Sequence, residues 1–168
     1  MKKIVLVNGS PRTQGSCAYL CSEFAHAASD HEITRLNLAD RNYGYYSDPL
    51  PDDDFEAAAN LLEAADIIVL ATPLFFYNMS GQMKVFMDRL LPYFSRLKDK
   101  KFYFILTAAT PQDTMEPAID SMTAFTDSLP GAKVEKVFCA ANLRHRAEVA
   151  SHPVVQEIID EAHMIGNR

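Results

Sequence analysis

Short apolar runs, each closed by a turn and followed by a longer amphipathic stretch, constrain this chain more than any other feature. The clearest is Asp-Ile-Ile-Val-Leu-Ala at residues 66–71, which is apolar throughout after its first residue. A strand without polar alternation is expected where helices cover both faces of a parallel sheet. Residues 3–8 repeat the pattern with β-branched side chains and end at Gly9 and Pro11, so they read as a buried strand. Further strands are predicted at 31–38, 101–106 and 133–139, with helices at 17–28, 55–65, 81–91, 113–129 and from His152 or Pro153 to about 165. Segments 40–51 and 72–79 read as loops. The resulting order, βαβαβαβαβα, predicts an α/β three-layer sandwich with a five-stranded parallel sheet of order 2-1-3-4-5. Ligands in such sheets sit at the carboxyl ends of the strands, here after Val7, Ala71, Leu106 and Phe138.

Composition narrows the functional classes. The 168 residues suit one domain, 1–168, and no apolar run approaches the ~20 residues that a membrane span needs. The N-terminal apolar stretch has four residues before Asn8 and no small-residue cleavage site after it, so the expected location is the cytoplasm. Sixteen basic against 22 acidic residues give a net charge of −6 with no basic run, which speaks against nucleic acid. Cys17, Cys21 and Cys139 are odd in number and dispersed, as reduced thiols are. The five histidines show no ligand spacing, and no metal is expected.

The segment Asn-Gly-Ser-Pro-Arg-Thr-Gln-Gly-Ser-Cys, residues 8–17, joins the first strand to the first helix. It combines hydroxyls at Ser10, Thr13 and Ser16, the guanidinium of Arg12, two glycines and the free amides of a helix start. That set suits a phosphate: inward N–H donors, a positive dipole end and a fixed charge. The spacing and lysine of a Gly-x4-Gly-Lys-Ser/Thr loop are missing, as is Gly-x-Gly-x-x-Gly. A phosphatase loop would set its cysteine before the turn, and a receiver domain would need an aspartate where Thr72 stands. An ordinary polar turn is the alternative.

The loop after the third strand is more specific. Thr-Pro-Leu-Phe-Phe-Tyr-Asn-Met-Ser-Gly-Gln-Met-Lys-Val-Phe-Met-Asp-Arg, residues 72–89, resembles the NADPH-dependent FMN reductase family of flavodoxin-like proteins. The matching positions are Pro73, Phe75, Phe76, Lys84, Asp88 and Arg89, joined by residues 9–12, 15–16 and the Ala162-x-x-x-Gly166 spacing. The resemblance implies a flavodoxin-like fold, FMN as cofactor and NAD(P)H as co-substrate. It also implies a homodimer and a small-molecule electron acceptor (a quinone, an azo or nitro compound, or free flavin). Ser10, Arg12, Ser16 and Cys17 are then the phosphate residues, with Cys17 as an amide donor. Pro73, Leu74, Phe75 and Phe76 would wall the flavin, backbone groups as far as Asn78 would meet its pyrimidine edge, and Thr107, Ala108, Ala109 and Thr110 would approach the ring. The alternative within this fold is an electron-transfer protein like flavodoxin, against which the charged Arg12 argues.

Several residues carry a plainer reading. Lys84 and Asp88, four apart on a helix, suit an exposed ion pair. Arg144-His145-Arg146 suits a solvated charge cluster, with a dinucleotide phosphate as the alternative. Helix positions Met83, Phe86, Met87, Leu90 and Leu91 offer more apolar surface than one core face needs, which supports the homodimer. In many members of the family that the chain resembles, the iron–sulfur flavoprotein branch among them, a cysteine cluster occupies the connection between the second strand and second helix. Here Tyr43, Tyr45 and Tyr46 stand there, expected over the flavin or at the dimer seam, and FMN is expected to be the only redox centre.

Overall fold

The computed structural model describes residues 1–167. Its elements are β1 (Lys3–Asn8), α1 (Ser16–Ala27), β2 (Glu32–Asn37), α2 (Phe55–Ala64), β3 (Ile67–Phe75) and β4 (Asn78–Met79). After them come α3 (Gly81–Arg89), β5 (Lys101–Thr107), α4 (Glu116–Ser128), β6 (Lys133–Ala140) and α5 (Val154–Met164). The five long strands are parallel in the order β2-β1-β3-β5-β6, a flavodoxin-like arrangement and the predicted one apart from a short extra strand.

That extra strand corrects the sequence reading. Residues 72–79 are a hairpin instead of a loop: β3 runs on past the sheet edge and β4 turns back on it, with Leu74 opposite Met79 and Phe75 opposite Asn78. Phe76 and Tyr77 make the two-residue turn with φ of 50° and 66°, the left-handed geometry of a type I′ turn. Neither is the asparagine or glycine that such a turn favours, so the sequence carried no hairpin signal.

The period-two alternation of strand side chains divides the core in two. Val5, Val7, Ile68 and Leu70 face α2, α3 and α4, whereas Ile4, Leu6, Ile67 and Val69 face α1 and α5. Helix α1 buries Cys17, Leu20, Cys21, Phe24 and Ala25, the i, i+3, i+4, i+7 stripe of one face. In α3, Ser80 caps the start by accepting from Met83 N at 3.1 Å, and the helix stops at Arg89, with Pro92 in the turn that follows. Met83, Phe86, Met87 and Leu90 are all buried within the chain, and Leu91 alone of the five is exposed. The apolar surplus expected on this helix is therefore taken up by the core and lends no weight to a dimer.

Candidate functional site

The carboxyl ends of β1, β3, β5 and β6 open on a cavity of about 690 Å³, within the usual range of ligand clefts. Four segments line it: residues 10–17, 73–75, 107–109 and 143–146.

The first wall is built by short-range bonds. Asn8 Oδ1 accepts from Ser10 N at 3.1 Å, Ser10 Oγ accepts from Arg12 N at 3.1 Å, and Arg12 O accepts from Gly15 N at 3.1 Å. Gly9 N donates to Ala71 O at 2.8 Å and Ser80 Oγ donates to Gly9 O at 2.6 Å, pinning the turn between β1 and β3. A Cβ on Gly9 would lie 2.9 Å from Met83 Cβ, so only glycine allows this approach. Helix α1 then begins with no side chain capping its N-terminus and no acid in its first turn. Its first amides carry about half a positive charge toward the cavity. Arg12 is exposed and makes no ion pair or hydrogen bond through its guanidinium among the described residues.

The second and third walls are apolar. Pro73, Leu74 and Phe75 line the cavity side by side with Thr107, Ala108 and Ala109, Pro73 being the Cα partner of Thr107 where β3 and β5 pair. Cys17 Sγ lies 3.3 Å from Thr107 Oγ1 beneath them, and burial pushes its thiol up to about 12. The position at a helix N-terminus does not activate this cysteine, because desolvation outweighs the dipole. Three expected site residues do not line the cavity. Phe76 stands at the hairpin tip, 99% exposed. Asn78 turns its Oδ1 to Met79 N at 2.8 Å, and Thr110 shares a hydrogen bond with Thr114 at 2.6 Å.

The fourth wall, Leu143 to Arg146, was missed as a cavity wall. Long-range main-chain bonds bring it in: Leu143 N donates to Ala108 O at 2.8 Å and Asn142 N to Thr110 O at 2.9 Å. Arg146 Nε donates to Gln14 O at 2.8 Å, and its guanidinium lies 5.7 Å from the Tyr19 ring centre. Glu148 accepts from Arg144 N at 2.9 Å and His145 N at 3.2 Å, which hold its carboxyl below the usual range. The signal available in the sequence was a run of cations just after a strand end.

Away from the cavity, Arg89 locks the connection between β2 and α2. Its Nη1 and Nη2 bind Asp53 Oδ2 and Oδ1 at 2.7 and 2.8 Å, and Nη1 also donates to Gly44 O at 2.8 Å. At the start of α2, Asp54 makes no side-chain cap, while Asp53 accepts from Phe55 N at 3.1 Å as well as from Arg89. Tyr43 packs on Phe55 with ring centres 4.9 Å apart, against the core and not over the cavity, whereas Tyr45 and Tyr46 are exposed. Lys84 and Asp88 form the exposed pair expected of them, at 2.5 Å.

Comparison with known proteins adds to this geometry. Residues 2–145 match the family profile of NADPH-dependent FMN reductase. The chain belongs to that family. An iron-sulfur flavoprotein of Archaeoglobus fulgidus is 28% identical over 102 residues, covering 54% of this chain and 46% of the relative. One of Methanocaldococcus jannaschii is 30% identical over 101 residues, covering 54% and 52%. The chain thus spans about half the length of the curated relatives it matches. Among solved structures, an FMN-dependent NADH-azoreductase from Bacillus anthracis in complex with FMN superposes with a TM-score of 0.78 at 14% identity. That alignment covers 98% of this chain and 100% of the azoreductase, and establishes the fold. Among the described residues no helix is long and apolar enough to cross a membrane, and no group of three or more His, Cys, Asp or Glu side chains is placed to hold a metal ion.

Proposed function

We propose that this FMN reductase family member is an NAD(P)H oxidoreductase that passes electrons from a nicotinamide dinucleotide through bound FMN to a quinone, an azo or nitro compound, or free flavin. The observation that carries this reading is the meeting, in one cavity, of a phosphate-type donor set and an apolar slot. The residues fit the cofactor on three counts. The start of α1 has neither cap nor acid, the Arg12 guanidinium has no partner among the described residues, and a Cβ on Gly15 would crowd Arg12 Cβ at 3.1 Å. Arg12, Ser10, Ser16 and the amide of Cys17 would hold the phosphate, offsetting its charge with charged hydrogen bonds and the helix dipole. Pro73, Leu74, Phe75, Thr107, Ala108 and Ala109 would hold the ring.

When bound, FMN supplies hydride acceptance and onward electron transfer. The chain's part is binding, orientation and exclusion of water. The buried Cys17–Thr107 contact closes the floor with a protonated thiol, which puts no competing negative charge beside a phosphate. No side chain is assigned as an acid or base, because the chemistry of the bound group requires none.

The test is a visible absorption spectrum of the purified protein, followed by steady-state NADPH oxidation with a quinone. Flavin absorption with turnover supports the reductase, and exchange with a partner protein alone would favour an electron carrier. A homodimer remains part of the proposal. Exposed Tyr45, Tyr46, Leu91 and Phe94 surround a second cavity of about 450 Å³ and offer the apolar surface that α3 does not. A monomeric mass in light scattering at micromolar concentration ends that part.

A further inference from the structure

We propose that Arg144 and Arg146 form a second phosphoryl-binding site at the cavity mouth, which takes a phosphate of the reducing dinucleotide. This rests on reading the neighbouring site as that of FMN.

The first argument is the sign of the charge. The chain carries a net −6, yet Arg12, Arg144, His145 and Arg146 line this one cavity and no aspartate or glutamate does. The second is how the arginines are partnered. Away from the cavity, Arg41 pairs with Asp54, Arg89 with Asp53 and Arg96 with Glu63, while Arg35 donates to Ser22. At the cavity, the guanidiniums of Arg12 and Arg144 have no partner among the described residues, and Arg146 has a main-chain carbonyl and the Tyr19 ring. The carboxylate nearest in sequence, Glu148, is taken by main-chain N–H groups of Arg144 and His145 and pairs with neither guanidinium.

The third argument is a count of charge. A phosphate monoester carries about −1.5 to −2 at neutral pH. Arg12 and the start of α1, with about half a charge, meet most of that. Arg144 and Arg146 are surplus to it. They are also held in place, because residues 142 and 143 are bonded to 110 and 108, and Arg146 is bonded to Gln14 of the phosphate loop itself. A solvated cluster needs no such anchoring. An anion bound on this rim would meet the Arg146 guanidinium already oriented by Gln14 O, and an Arg144 guanidinium that has no internal partner to give up and sits on an anchored main chain.

Titration calorimetry of the FMN-loaded protein with adenosine 2′,5′-bisphosphate, ADP and 5′-AMP tests this. The expectation is that the bisphosphate or ADP binds at least about tenfold tighter than 5′-AMP, the least that a charged hydrogen bond supplies. Preference for the bisphosphate assigns the 2′-phosphate of NADPH, and preference for ADP assigns the pyrophosphate. The combined Arg144→Gln and Arg146→Gln variant should bring all three to the affinity of 5′-AMP. Equal binding of the three by the unaltered protein, or a preference that survives in that variant, overturns the proposal. The same titration is run on the protein before FMN loading and on Arg12→Ala. A protein that takes up no FMN but retains the nucleotide preference sinks the flavin reading alone. A preference abolished by Arg12→Ala, or competed away by FMN, places the nucleotide in the first phosphate site and overturns this one.

Discussion

Replacing Asp53 by asparagine tests whether the connection between β2 and α2 is held by a buried charge pair. The Arg89 side chain is 3% exposed and that of Asp53 11%, and two N–H···O bonds of 2.7 and 2.8 Å join them. Asp53 also accepts from Gly44 N at 2.9 Å, and the guanidinium sits 4.6 Å from the Phe55 ring centre, with Nε lacking a partner. An asparagine keeps the shape but offers one acceptor and turns an N–H₂ group toward a guanidinium that has only donors. Breaking one side of a buried pair costs about 3–5 kcal/mol, and the slight exposure of Asp53 points to the lower end, about 3 kcal/mol. Urea denaturation at neutral pH should give that loss with an unchanged slope, and cleavage within residues 41–51 by a nonspecific protease should quicken. Adding Arg89→Met removes the stranded charge, so the double variant should be more stable than Asp53→Asn alone. The sign with pH follows from Asp53. Arg89, first, and main-chain donors from Gly44 and Phe55 hold its carboxyl well below the usual range. Its contribution is full above the unfolded value of about 3.9 and is lost as pH falls toward the lower folded one. The Asp53→Asn variant should lack that part of the acid transition. A loss below about 1 kcal/mol, or a double variant no better than the single, would refute the reasoning.

Three further outcomes are expected. Arg12→Ala should weaken FMN binding by about 1.5–3 kcal/mol in a fluorescence titration, and an unchanged dissociation constant would count against the assigned phosphate site. Tyr77→Gly should raise stability by about 1 kcal/mol, because Tyr77 holds φ of 66° while 56% exposed; a lower thermal midpoint would show that its ring is held by contacts worth more than the strain. Burial raises all three thiols, but Cys17 and Cys21 are fully buried and Cys139 is only half-buried, so Cys139 should be the first to react with a disulfide reagent, and equal reactivity of all three before unfolding contradicts this.

What the sequence made legible was local. The phosphate-type loop is closed by bonds between residues two or three apart, Asn8 to Ser10, Ser10 to Arg12 and Arg12 to Gly15, so its residue types announced it. The central strands β1, β3 and β5 were legible because both faces are buried and their apolar runs have few gaps. The hairpin was not, since Phe76 and Tyr77 occupy a turn whose usual residues they are not. Arg89 stood in a matching motif without a role, because Asp53 is 36 positions away. The fourth wall depends on pairing across two strand ends, which no window of sequence contains.

The same locality bears on the curated relatives, which are iron-sulfur flavoproteins. An all-cysteine cluster needs four thiolates close together, and these 168 residues contain three cysteines. Cys17 and Cys21 lie on one helix with their side chains in the core between α1 and the sheet, and Cys139 lies on β6 against the opposite core. The connection between β2 and α2 holds no cysteine. It is organised by Tyr43 packing on Phe55 and by Arg89 bonding Gly44 and Asp53. We therefore expect FMN to be the only redox centre carried by residues 1–168. Iron and acid-labile sulfide analysis of anaerobically purified protein checks this, and stoichiometric iron would overturn it whatever the flavin content.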